Sequence, residues 1–548
     1  MFRKNDNHKQ QDLFNSTIYM DERIRRRLEK SWAPIFYEHV FCQIDEEPFA
    51  VLYSENWGRP NFPVNILVAL EIIKHFRDYT DEELIEEFFF NLQIKWSLGI
   101  RDIGECPIAE RTLYEFRERL YAYALEHPGE DDLIHQQFMT ISKHLMEFLQ
   151  LSTEEMRMDS TQIMPNIRRA GRLSLAFDVL LQAIRACPYD LLPEHLAEVM
   201  KPDFKKMLLY RVKAREIPGR FQEVLQLCAE LIQLTTEYEQ LKEKKELKLL
   251  ARFLGEQAEY DSGTQSWKAK KSKQTSGNLQ SAYDPDATCR KKGDTIHVGY
   301  VANIAETCAD ENPVQLITDY MVQKNNVADT TMAQKSLPQL AESYGLKDMY
   351  VDGGYSGENV HDTAEEYNIS MYYTNMTGKE SNKIPVSEFK IKDNKIIQCP
   401  AGHASALSYY DQETGKITAH FDLSFCQECK VKHLCPMQPG RKSGVVTITR
   451  KQRIAAETRK QIQDKKQHRI NTSKRAATEG TNSAIKRRHG ADKLAVRGKH
   501  KCQTVFGFKV LAHNFKQTVR YVLGDIRRSL QDVERRRRKG ELLMGSSA

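Results

Sequence analysis

The chain has no run of about eighteen apolar residues, the length a helix needs to cross a bilayer, and its opening Met1-Phe-Arg-Lys-Asn-Asp6 is too polar for a signal peptide or an anchor. No membrane partner is expected, and the compartment expected is the cytoplasm. Also missing are Gly-x4-Gly-Lys-Ser/Thr, Gly-x-Gly-x-x-Gly, His-Glu-x-x-His and Gly-x-Ser-x-Gly, which argues against an ATP-driven or nicotinamide-dependent enzyme. There is no even set of cysteines to pair. Eleven spread over 548 residues point to a reducing compartment with free thiols or a metal site. Overall charge is small too, at +6.

That charge is unevenly placed. Residues 451–548 carry 26 Lys and Arg against 8 Asp and Glu, a net +18, whereas the remainder carries 55 against 67, a net −12. Clustered cations neutralise phosphates. Because Phe506, Phe508, Val510, Leu511 and Phe515 are interleaved with them, this end is expected to be a nucleic-acid face rather than a solubilising tail. The five cations of 535–539 are too polar to pack and are expected to add DNA affinity without sequence preference.

A chain of this length with 40% hydrophobic residues should hold two or more domains. Two segments, Met-Arg-Met-Asp-Ser-Thr-Gln-Ile at 156–163 and Met-Tyr-Val-Asp-Gly-Gly-Tyr at 349–355, read as short strands. Asp159 and Asp352 lie near their carboxyl ends, and Gly353-Gly354 closes the second in a tight turn. A third acid, Glu479, sits in 472–486. On a helix it is one turn from Arg475 and two turns from Lys486, so all three share a face. A solvated helix with ion pairs one turn apart uses the same residues, but the two strand-end acids weigh against it. Two acids at adjacent strand ends and one on a helix make a site for two magnesium ions.

The Asp-Ser-Thr strand, the Asp-Gly-Gly-Tyr strand end and the spacing Arg475-(3)-Glu479-(6)-Lys486 resemble the DDE transposases of bacterial insertion sequences, in particular the insertion sequence 1182-like group. Thr472 stands where that signature has Tyr, three residues before the arginine. The resemblance runs from about Trp57 to Val522. It implies an α/β fold: an RNase H-like catalytic core, a mixed sheet flanked by helices, with a helical N-terminal domain, a helical insertion and a zinc-ribbon-like insert. It further implies that Asp159, Asp352 and Glu479 are catalytic ligands of two magnesium ions and that Arg475 and Lys486 grip DNA near the reacting phosphate. The implied partners are double-stranded DNA, both terminal inverted repeats and target, and the implied setting is the bacterial nucleoid. Two element ends call for two active sites, hence a homodimer. The alternatives are an RNase H-like nuclease or resolvase that cuts without joining, and a zinc-containing DNA-binding regulator.

In chain order, 1–150 is expected to be a helical DNA-binding region. It should contain a helix over Val64–Arg77 after Pro63, another after Thr80 with Glu83 completing a capping box, and a third from Thr112 with Glu115. The alternation of arginine and aromatics in 111–117 suggests a helix-turn-helix-like unit with Arg111 and Arg117 on DNA. A plain bundle with Tyr114 and Phe116 in its core fits equally. The resemblance implies that this region recognises the element ends. Residues 151–165 begin the core, and 166–260 form a helical insertion with helices at 174–185 and 193–212. The insertion's stripe Val224, Leu227, Leu231, Leu234, Tyr238 and Leu241 could pair two protomers or fold back as an intramolecular hairpin, and the hairpin is expected because the seam is short and another apolar helix precedes it. Residues 262–283 read as a linker. The core continues over 284–380, with strands at 295–304, 313–324, 349–352 and 369–374 and helices at 332–344 and 357–367; Asp284 and Asp286 read as turn starters.

Residues 390–445 form the cysteine-rich insert. Cys426 and Cys429, two residues apart, can bind one tetrahedral zinc with Cys399 and Cys435, and His403 or His433 can replace either outer cysteine. Similar clusters occur at this place in related transposases. Residues 450–525 hold the catalytic helix and the end of the core, and 526–548 form a basic mobile tail.

Overall fold

Alternating apolar residues build a thirteen-residue strand, Thr295–Thr307, against which the central sheet is laid. The computed structural model describes residues 1–9, 19–55, 57–102, 106–129, 132–271, 275–375 and 383–524. Glu155–Ile163 pairs antiparallel with the long strand, Asp159 opposite Ile304, and Ile317–Lys324 pairs antiparallel on its other side. Asp348–Val351 lies parallel to Glu155–Ile163, and Ser370–Tyr373 parallel to Asp348–Val351. Helices Asp329–Tyr344 and Glu358–Glu366 precede these two strands, as parallel neighbours require a crossover. The mixed sheet with its helices is consistent with the RNase H-like core expected from the sequence.

One hydrophobic core runs from this sheet into the N-terminal helices. Val64–Arg77 buries Ile66, Leu67, Leu70 and Ile73, and Asp81–Phe90 opens on the reciprocal Thr80–Glu83 capping box. The third helix starts earlier than the Thr112 box implied, at Glu110, and has no side-chain cap.

The expectation for the C-terminal aromatics is corrected. Phe506, Phe508, Val510, Leu511 and Phe515 are buried in the helix Lys499–Val522, which packs on Val64–Arg77, on Leu133–Phe148 and on the strand Ile317–Lys324. A helix covered on several sides is apolar around much of its circumference, and its polar groups find internal partners. Asn514 accepts from the Ile317 amide at 2.9 Å and donates to the Ile317 carbonyl at 2.8 Å, and Lys509 donates to the His489 carbonyl.

Gly507 lies where Tyr320 crosses this helix, and a β-carbon there would overlap the Tyr320 hydroxyl. Gly507→Ala should therefore be destabilising. Overpacking costs about 1–3 kcal/mol and outweighs the roughly 1 kcal/mol that alanine gains in a helix. A lower urea midpoint is the expected result, and an unchanged or higher midpoint would refute the close approach.

The insertion has its own core, built by Arg172–Ala186, Ile217–Thr235 and Lys245–Gln257. Its stripe does fold back within the chain. Val224, Leu231 and Leu241 are buried, while Tyr238 is exposed. The helix expected over 193–212 is instead four short helical pieces, broken at the extended Lys201 ahead of Pro202. Part of the expected linker is ordered: Ala258–Asp261 and Ser266–Ala269 form a hairpin, and Leu279 and Ala282 enter the insertion's core.

The cysteine-rich insert centres on Lys416–Asp422, paired antiparallel with Leu407–Asp411 and Ser443–Ile448 around Ile417, Phe421 and Val446. Residues 526–548, including 535–539, lie outside the described residues. No described helix is long and apolar enough to cross a membrane.

Candidate active site

The register of the parallel pair brings the two strand-end acids level. Arg157 stands opposite Tyr350, and two residues farther along each strand are Asp159 and Asp352. Asp352 ends its strand by capping the turn Gly353–Tyr355, accepting from the Gly354 amide at 2.8 Å. Glycine is required at 353, because a β-carbon there would lie 2.5 Å from the Asn375 carbonyl oxygen. The helix Lys465–Arg488 packs against both strands and supplies Glu479 and Arg475.

One guanidinium joins the three acids. Arg475 Nη2 is 3.1 Å from Asp159 Oδ1 and 3.9 Å from Asp352 Oδ2, while Nη1 is 2.9 Å from Glu479 Oε1. Burial raises the Asp159 pKa; the positive charge of Arg475 opposes the shift and the negative charge of Asp352 adds to it. Burial disfavours the Arg475 charge, but Asp159 and Asp352 outweigh it and push its pKa up. The Glu479 side chain remains 65% exposed, so the cluster is open to solvent on the helix side. Chemically it is a set of hard oxygen donors of the kind that binds magnesium, held together by a cation.

Several neighbours were missed by sequence reasoning. Arg157 shares a face of its strand with Asp159; its Nε donates to Glu306 Oε1 at 2.8 Å, and its Nη1 donates to the Lys474 carbonyl at 2.9 Å. Thr481 donates to the other Glu306 oxygen at 2.8 Å, and Lys474 is ion-paired with Glu155. These contacts dock the helix on the sheet directly beneath Arg475 and Glu479. Asn482 Nδ2 lies 3.3 Å from Asp159 Oδ2. Its Oδ1 is buried without a hydrogen-bond partner, as is Arg475 Nε. The only available hint was position, since Thr481 and Asn482 follow Glu479 closely and Arg157 precedes Asp159 by one strand period.

Other expected DNA contacts are placed elsewhere. Lys486 pairs with Asp492 at 3.3 Å rather than with the three acids. Arg111 is exposed and pairs with Glu115 at 2.7 Å. Arg117 requires a correction: its side chain is 14% exposed and clamped by Glu71 and Asp81, each at 2.6 Å, so it ties helices together and offers no free charge to DNA.

Cys399, Cys426, Cys429 and Cys435 line one small apolar pocket with Phe421 and Phe425. Burial raises the Cys426 thiol, and the other three cysteines raise it further. The thiols share a wall without forming a ligand shell. Among the described residues no group of three or more His, Cys, Asp or Glu is arranged to hold a metal ion, so the expected zinc is not supported.

Two family models match the chain. Residues 398–519 match the one described as Transposase DDE domain, and residues 23–119 match Transposase domain (DUF772). Neither a curated protein nor a solved structure gives a significant match. The two matches together support an insertion-sequence transposase of the DDE type.

Proposed function

We propose that the protein binds the ends of an insertion sequence and catalyses magnesium-dependent DNA cleavage and strand transfer, with Asp159, Asp352 and Glu479 as the catalytic acids. The observation that carries this reading is their convergence, from segments up to 320 residues apart, on the single guanidinium of Arg475. The donor chemistry suits magnesium, since three carboxylates surround Arg475, although among the described residues no group of three or more acids is itself arranged to hold a metal ion. Bound there, magnesium would supply Lewis-acid activation of the phosphodiester and of the attacking hydroxyl.

The chain's own residues do the rest. The Gly354 amide and Asn482 orient Asp352 and Asp159, and the Arg157–Glu306–Thr481 contacts hold the helix in register, so the acids meet the reacting phosphate preorganised. Arg475 is placed to grip a phosphate close to the acids, and Lys486, two turns past Glu479, one farther along the backbone. Duplex DNA, as terminal repeats and as target, is the proposed partner. A homodimer would bring two ends together.

The test separates joining from simple cutting. A labelled, precut end with a free 3′-hydroxyl is incubated with protein, magnesium and a supercoiled plasmid. Covalent end-to-plasmid products that vanish with a 3′-deoxy end are expected, because a retained end outcompetes water by effective concentration. Robust nicking with no joined product would replace this reading with a nuclease.

A further inference from the structure

Three carboxylates gathered on one guanidinium pose a charge problem for the site as assigned. Three negative charges attract a divalent cation strongly, yet the same oxygens already bind Arg475, and two cations at one point repel. We propose that Arg475 is a built-in counter-cation that competes with the divalent metal for these carboxylates, and that a DNA phosphate draws it away. Metal loading is thereby coupled to DNA binding. The inference rests on the assignment of Asp159, Asp352 and Glu479 as metal ligands.

The geometry makes the arginine displaceable. Its contact with Asp352 is long, at 3.9 Å, and its Nε is buried with no acceptor, so one donor is wasted while the guanidinium points at the acids. A phosphodiester offers a bidentate partner matched to the guanidinium fork, and Nε regains an acceptor when the side chain turns toward it. Lys465, Lys466 and Arg469 are exposed on the same helix and favour the approach of a DNA backbone. The site is also incomplete around Arg475. Asn482 is 7% exposed; its Nδ2 lies 3.3 Å from Asp159 Oδ2, and its Oδ1 is buried without a hydrogen-bond partner, so this side chain is not fully satisfied while the guanidinium stays on the carboxylates. Without DNA, Arg475 pins the two strand ends to the helix; with DNA, the same side chain holds substrate and releases the acids.

Manganese binding to the full-length protein, followed by electron paramagnetic resonance, tests this independently of turnover. With wild type, a short duplex of random sequence should tighten manganese binding about tenfold or more, within the usual range of coupling between sites. Arg475→Ala without DNA should already bind about tenfold tighter than wild type. Arg475→Gln, which keeps a donor for the acids but not the charge, should match it even if alanine loosens the helix. The proposal is overturned if neither variant binds manganese more tightly than wild type. Adding Asp159→Asn to each variant separates the two levels of argument. If it weakens manganese binding while the arginine substitutions do not tighten it, only the competition fails. If it leaves manganese binding unchanged, the acids are not the metal site, and the functional reading fails with it.

Discussion

Asp159→Asn, Asp352→Asn and Glu479→Gln should each lower DNA cleavage by roughly a thousandfold or more while leaving affinity for duplex DNA within a few-fold. Each substitution is nearly isosteric and removes a charged oxygen donor from the point on which the three acids converge. Stabilisation realised only in the transition state is lost, and a single such contribution is worth about 10²–10³ in rate before any loss of metal is added. Phosphate-binding cations are untouched, so binding persists. Gel-shift and cleavage assays on the same preparations make the comparison. A variant that cuts at near the wild-type rate would strip its residue of the assignment.

The second large effect concerns folding. Glu306 is 1% exposed and Arg157 9%, and the pair lies between the sheet and the helix that carries Glu479. Arg157→Met leaves a buried carboxylate with only the Thr481 hydroxyl, a change that costs about 3–5 kcal/mol because the remaining charge is uncompensated. Chemical denaturation should show a loss of that order. The double replacement Arg157→Met with Glu306→Leu removes both charges and should recover much of it, since a packed apolar pair of similar volume is often no less stable than the ion pair. Activity should not return with stability, because the Arg157 bond to the Lys474 carbonyl is still missing and the helix is no longer held in register. If the double variant is as unstable as the single, stranded charge is not the cause.

The strands and the turn that place Asp159 and Asp352 were legible in the sequence because each depends on local chemistry. Asp159 and Asp352 sit in short β-prone segments, Gly353-Gly354 marks the strand end, and the Thr80–Glu83 box opens a helix where its four residues say it should. The supports of the site were not legible. Arg157 meets Glu306 across 149 residues and Lys474 across 317, and no periodicity reports such contacts. The same limit explains Arg117. An arginine among aromatics on a helix looks free until Glu71 and Asp81 are brought to it by the packing of other helices. In 499–522 the mixture of cations and aromatics suggested a surface because spacing says which residues are apolar but not how many faces of a helix are covered; with packing on several sides, Lys509 and His513 are buried as well.

The helix Lys499–Val522 also sets a schedule for the ribosome. It fills the space between Val64–Arg77, made more than four hundred residues earlier, and the strand Ile317–Lys324, so neither surface has its cover until translation has passed Val522. Until then Phe76 lacks Phe515 and Tyr320 lacks Phe506, so apolar surface stays open on the first helix and on the sheet, a state prone to misassociation. A chain whose synthesis stops short of this helix is left with an unfilled core between these two elements.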